Sequence, residues 1–195
     1  MKTAHEPTYS FVILTFILII IDTLLAFVSV KIFPTIAGGI VSWLYLAVAF
    51  MILFTLWFGA YGAIAAYAGT LVGSGLMVSD TLVNNPHIAV IWAVAGLLQA
   101  LIPLVAVRSF DVNLSMENPR DFTYIFLFGV LINNIVGAAW AAWTLSLTGT
   151  TDMGSVFTTW FIGNAVVCLL LVPLCLKVFT PKVEKSRLFV KNYWD

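Results

Sequence analysis

Apolar residues in this chain run in long unbroken blocks, without the alternating or one-faced patterns of soluble strands and helices. Six blocks stand out: Tyr9–Val30, Ile40–Phe58, Ala60–Val78, Ile88–Val107, Phe122–Leu145 and Val156–Phe179. A helix rises about 1.5 Å per residue, so about 20 mostly apolar residues cross a hydrocarbon core of about 30 Å. Each block is read as one spanning helix. The second and third nearly touch, and a single helix covering both would overshoot the membrane, so a break at Gly59 is expected. The pattern predicts an all-α, polytopic integral membrane protein: one domain, a bundle of six transmembrane helices joined by short connections.

The charged positions orient that bundle. Of the nine Lys and Arg residues, Lys2, Arg108, Arg120, Lys177, Lys182, Lys185, Arg187 and Lys191 fall on one side of six spans, and only Lys31 falls on the other. Basic residues collect in cytoplasmic loops, so both termini are expected in the cytoplasm. Asp80, His87 and Asp152 then lie outside. The longest polar connection, Arg108 to Arg120, and the basic tail 180–195 form the cytoplasmic face, and Arg108, Arg120, Lys182, Lys185 and Arg187 are candidates for docking a partner. The first block is too long for a signal-peptide core and no cleavage-like site follows it, so it reads as a permanent span.

Composition agrees with the pattern. Apolar residues make up 62% of the chain and charged residues 9%, with mean hydropathy +1.05. A soluble domain carries about 25% charged residues. The bilayer is therefore the first partner. Net charge is zero, and no nucleic-acid partner is expected.

Within the spans, small residues mark close helix contacts. Ala65, Gly69 and Gly73 recur every fourth residue in the third span, beside a second row of Gly62, Ala66, Thr70 and Ser74. Such rows let helix backbones approach closely. The third span is expected to be central and tightly packed.

Polar residues in the bilayer are the candidates for chemistry. Asp22 is the only acidic residue well inside a span, and a central Asp costs about 2.5–3.5 kcal/mol on insertion scales. It could meet a cationic group, carry a proton, pair with Lys31, or sit neutral in a packed interface. Gln99 lies mid-span in the fourth block, Asn133 and Asn134 in the fifth, and Asn164 in the outer part of the sixth, one turn after Trp160. Each could bind a ligand or hydrogen-bond neighbouring helices. Asp22, Asn164, Trp140, Trp143 and Trp160 all map to the outer half, where a pocket or an interfacial aromatic belt would place them. No metal-ligand cluster, phosphate-binding loop or nucleophile–base arrangement is apparent, so no cofactor, metal or enzymatic activity is expected.

Two resemblances follow from these residues. The stretch Asn118-Pro119-Arg120-Asp121, then Thr159-Trp160-Phe161-Ile162-Gly163-Asn164 and a Leu/Val-rich run ending Leu171-Val172-Pro173-Leu174, resembles the end of MASE1-type membrane sensor domains. The whole chain also resembles the substrate-binding S components of energy-coupling factor transporters. Its Pro34–Gly39 loop and Trp57-Phe58-Gly59-Ala60-Tyr61-Gly62-Ala63 segment fit their style. The second resemblance implies six helices, a pocket near the outer face for a vitamin-like or precursor solute, and docking onto a membrane subunit with ATPases. The first implies sensing through a signalling partner. S components commonly dock through an Ala-x-x-x-Ala pair in the first helix. Span one here has only Ala26, so a different docking surface is expected.

Overall fold

Apolar side chains on a continuous helical backbone satisfy both demands of a hydrocarbon environment, because every backbone polar group is bonded within its own segment. The computed structural model describes residues 9–37, 39 and 41–190, and these are mostly helical. Lys2, His5, Ile40, Lys191 and the terminal Asn192-Tyr193-Trp194-Asp195 lie outside the described residues.

Among the described residues, four helical runs are long and apolar enough to cross a membrane: Tyr9–Ile32, Pro86–Ser109, Pro119–Ser146 and Met153–Val183. The first is α1 and the last, Met153–Val183, is α9. Pro86–Ser109 comprises α5, Pro86–Trp92, and α6, Val94–Ser109, with a slight break at Ala93. Pro119–Ser146 comprises α7, Pro119–Phe126, a π-helical turn Leu127–Ile132, and α8, Asn133–Ser146. Helix starts follow ordinary capping chemistry. Asn118 and Asp152 accept from Asp121 N–H and Ser155 N–H at 3.0 and 2.7 Å, and Pro86 and Pro119 occupy first-turn positions.

The second predicted span is shorter than its apolar run. Helix α2 covers Ala47–Phe58, about 18 Å of rise. Residues ahead of it form a two-stranded antiparallel ribbon, β1 Thr35–Ile36 against β2 Val41–Ser42, with Thr35 opposite Ser42. Ala37 and Gly39 take positive φ in its turn, where only glycine is unstrained. The break at Gly59 is present: with φ 60° and ψ −131° it ends α2 and starts α3, Ala60–Gly69. α3 continues as a π-helical turn, Thr70–Leu76, and the short helix α4 spans Asp80–Val83.

Helix α2 is the post of the bundle. Ten of its twelve residues are buried, and it packs on α1, α3, α6 and α9. The surrounding helices show their apolar faces outward. α1 exposes Val12, Ile13, Phe16, Ile17, Ile20 and Leu24, and α9 exposes Ile162, Val166, Leu169, Leu170 and Leu174. Water-soluble monomers rarely leave such contiguous apolar surface uncovered; acyl chains are its natural solvent.

The small-residue row predicted in the third span lies at its seam with α1. A methyl group on Gly69 would sit 2.6 Å from Asp22 Cβ, and one on Gly73 would sit 2.4 Å from the Thr23 carbonyl oxygen. Ala65 is fully buried in the same helix. Gly62 faces α2 the same way, with a hypothetical Cβ 2.3 Å from the Phe54 carbonyl carbon.

One end of the bundle is tied by the C-terminal segment. The Trp57 indole donates to Thr180 Oγ1 at 3.0 Å, and Val190 N–H donates to the Trp57 carbonyl at 3.0 Å. The Arg108 guanidinium donates to the Val190 carbonyl, and Arg120 donates to the Phe110 carbonyl at 2.9 Å. The ribbon belongs to the other end, beside the start of α9.

Candidate functional site

At the ribbon end, non-helical chain enters the bundle because α2 begins only at Ala47. Ser29, fully buried on α1, holds it there. Its hydroxyl accepts from Leu46 N–H at 2.9 Å and donates to the Leu25 carbonyl at 2.7 Å. Ser42 Oγ lies 3.1 Å from the Ser29 carbonyl and 3.2 Å from that of Leu44. On the other flank, Gly163 of α9 lets the chain approach closely. A Cβ there would fall 2.0 Å from the Trp43 carbonyl oxygen. These anchors turn Tyr45 inward.

Tyr45 meets the π-helical turn of the third run. Its hydroxyl lies 3.3 Å from Ser74 Oγ, which in turn donates to the Thr70 carbonyl at 3.0 Å. π-Helical turns often mark functional segments, and this one presents Ser74 to the interior. Two tryptophans complete the wall. Trp92 of α5 and Trp160 of α9 meet edge to face at 5.9 Å, and Trp160 lies 6.4 Å from the Tyr45 ring. Asn164 follows one turn along α9.

Together, Val41, Ser42, Tyr45, Ser74, Trp92, Trp160 and Asn164 line a small cavity of about 10 Å³, room for about one water molecule. No charged side chain is among them. Three buried donors on this wall have no hydrogen-bond partner among the described residues: the indole N–H groups of Trp92 and Trp160 and the amide nitrogen of Asn164. Buried donors are almost always paired, so three orphans around one cavity are informative. No protein-family model matches the chain, and no curated protein or solved structure matches it. The site is therefore read from its own chemistry.

Of the residues singled out in the sequence, the structure brings Trp160 and Asn164 to this cavity. Asp22 is buried at the α1–α3 seam, and neither carboxyl oxygen is hydrogen-bonded among the described residues. It is near enough to Tyr45 to interact electrostatically but does not line the cavity. Lys31 lies over the Phe27 ring at 5.7 Å.

Gln99, Asn133 and Asn134 form a separate cluster between α6 and α8. Gln99 Nε2 donates to Asn134 Oδ1 at 2.5 Å, Asn133 Nδ2 to the Gln99 carbonyl at 3.4 Å, and Asn134 Nδ2 to the Val130 carbonyl at 2.8 Å. Gly137 makes room for Gln99, whose Cγ would lie 2.4 Å from a Cβ at that position. The cluster joins helices. Trp140 and Trp143 face away from the cavity. The Trp140 indole donates to the Ile91 carbonyl at 2.8 Å, and Trp143 is exposed and stacks edge-on against Trp140.

Ser42, Tyr45, Ser74 and Trp92 are absent from the sequence-derived candidates. Ser74 was visible only as part of a packing row, and Trp92 sits in an apolar run that looks like any core helix. What unites the lining is convergence from four separate segments, which spacing along the chain does not encode.

Proposed function

We propose that this chain is a membrane-embedded, small-molecule-binding subunit of the transport kind. In this reading it has six spans, both termini lie in the cytoplasm, and the cavity serves the outer face. The observation that carries the reading is the trio of unpartnered donors on residues that line one cavity. An unsatisfied buried donor costs about 1–3 kcal/mol. A protein that keeps three of them on side chains lining one cavity gains that energy back when a solute supplies acceptors.

The orientation is supported by charge. Arg120, Lys182, Lys185 and Arg187 are exposed at the end opposite the cavity, and basic residues favour the cytoplasmic side. Trp160 and Thr180 are twenty residues apart on α9, so the two ends are separated by about 30 Å, one hydrocarbon thickness. The exposed basic residues then suit a cytoplasm-facing partner, for transport a coupling membrane subunit with ATPases. A sensor that signals through a separate protein would use the same cavity. That second reading is favoured by the placement of Trp160 and Asn164, both from the sensor-like segment, on the cavity wall.

Native mass spectrometry of the protein extracted gently from its own membranes tests both parts. A co-purifying small molecule, lost in Asn164→Leu, supports the binding reading. Co-purifying ATPases favour transport and a kinase or cyclase favours sensing. A protein that carries no solute, and whose melting temperature responds to none across a broad metabolite panel, sinks the binding reading.

A further inference from the structure

The wall chemistry narrows the solute, provided the binding reading holds. The hydroxyl protons on the wall are largely committed. Ser74 donates to the Thr70 carbonyl, Tyr45 is left to donate to Ser74, and Ser42 has the Ser29 and Leu44 carbonyls in reach. What the cavity offers without a partner is N–H: two indole edges and one amide nitrogen. A bound molecule must therefore bring lone pairs.

Charge is excluded on the same grounds. A carboxylate or phosphate would leave water for a wall with no Lys, Arg or His, and uncompensated burial of an ion is far costlier than burial of a neutral polar group. A cation would face N–H groups of the wrong polarity. The Asp22 carboxyl is not part of the lining; its Cβ packs against Gly69. Size is bounded too. The cavity of about 10 Å³ holds no more than about one water molecule, so a solute enters by parting the Tyr45, Trp92 and Trp160 rings, which favours a compact, flat molecule.

We propose that the cavity takes a compact, uncharged solute presenting at least two hydrogen-bond-accepting lone pairs, on carbonyl or ring oxygen or nitrogen, to the Trp92 and Trp160 indoles and the Asn164 amide.

The test uses four ring compounds of similar size, with the full chain in lipid nanodiscs. They are neutral pyrrolidone, cationic pyrrolidinium, anionic cyclopentanecarboxylate and apolar cyclopentane. The readout is the set of indole N–H resonances in proton–nitrogen NMR, assigned by Trp→Phe variants. Pyrrolidone should move the Trp92 and Trp160 signals saturably. Trp57, held by Thr180, and Trp140, held by the Ile91 carbonyl, should stay in place. The two ions should bind at least about 10-fold more weakly, and Asn164→Asp, which exchanges the amide donor for an oxygen, should weaken pyrrolidone about 10-fold. Should Asn164→Asp misfold, Trp160→Phe, which removes one N–H and keeps a ring, carries the same expectation.

Equal or tighter binding of either ion overturns the neutral-acceptor proposal and leaves the binding reading standing. Binding of cyclopentane as tight as pyrrolidone does the same. If no compound moves either resonance and the purified chain carries no solute, both the proposal and the binding reading fall.

Discussion

The α1–α3 seam supports a prediction of sign as well as size. Gly73→Ala places a methyl 2.4 Å from the Thr23 carbonyl oxygen and 2.8 Å from Ala26 Cβ. Heavy atoms settle at about 3.5–4 Å, so α1 must retreat by about 1 Å. The atoms in the way are backbone and a Cβ, which cannot swing aside as a side-chain tip can. Overpacking of this kind costs about 1–3 kcal/mol. Gly69→Ala meets Asp22 Cβ at 2.6 Å and should cost a similar amount. Because one retreat of α1 relieves both clashes, the double variant should lose less than the sum. Gly129→Ala is the control. It also lies on a helical run, but its nearest neighbours would be Ile125 Cγ2 at 3.8 Å and Pro103 Cβ at 3.9 Å. There the methyl fits, and replacing a helical glycine should gain about 0.5–1 kcal/mol. Thermal unfolding in detergent micelles, followed by tryptophan fluorescence, measures all four proteins. At about 2–4 °C per kcal/mol, the Gly73 and Gly129 variants should move in opposite directions. A Gly73→Ala protein that unfolds with the wild type, beside a destabilised Gly129→Ala, would refute the seam as described.

Gln99→Leu should destabilise by about 1–3 kcal/mol, because Asn134 Oδ1 loses its donor in a buried setting, and Gln99→Leu/Asn134→Leu should recover part of the loss; a double variant as unstable as the sum would show that the pair is not coupled. Val190→Pro removes the N–H that reaches the Trp57 carbonyl, so trypsin should cleave faster at Lys185 and Arg187, and an unchanged digestion rate would mean that the segment is not held there. Asp152 is hydrogen-bonded by the Ser155 backbone N–H and side chain, which holds its carboxyl below the usual carboxylate range. Its stabilising effect is therefore present above the unfolded-state value and lost as pH falls through the depressed one; a melting curve of Asp152→Asn with the same acid dependence as wild type would count against this.

Several of these features were legible in the chain before any coordinates. Apolar block length marked where the long helices lie, since crossing distance and helix rise leave few alternatives. Gly59 read as a break, and Gly69 and Gly73 as a packing row, because small residues at four-residue spacing have a steric meaning on any helix. The ribbon at residues 35–42 was not legible. Val41 and Ser42 continue an apolar stretch without a mark, and their conformation is fixed by Ser29 on another helix. The π-helical turns carry no composition signal. The site was legible only where polar and aromatic groups share one helix, as Trp160 and Asn164 do. Trp140 and Trp143 looked equivalent to Trp160, and only packing distinguishes an outward ring from an inward one.

The shortness of α2 has a consequence for where a solute would sit. A helix of about 18 Å leaves roughly 12 Å of hydrocarbon depth without a central rod. Irregular backbone survives at such depth only when other protein shields it from lipid, and here Ser29 of α1 and Gly163 of α9 hold the buried stretch Val41–Ser42 and Tyr45, while Trp43 stays exposed. In the proposed orientation the truncated post leaves the ribbon and residues 41–46, in place of a full-length helix, at the outer end of the bundle. The protein would then need to shift one short ribbon, rather than a whole helix, to let a molecule in.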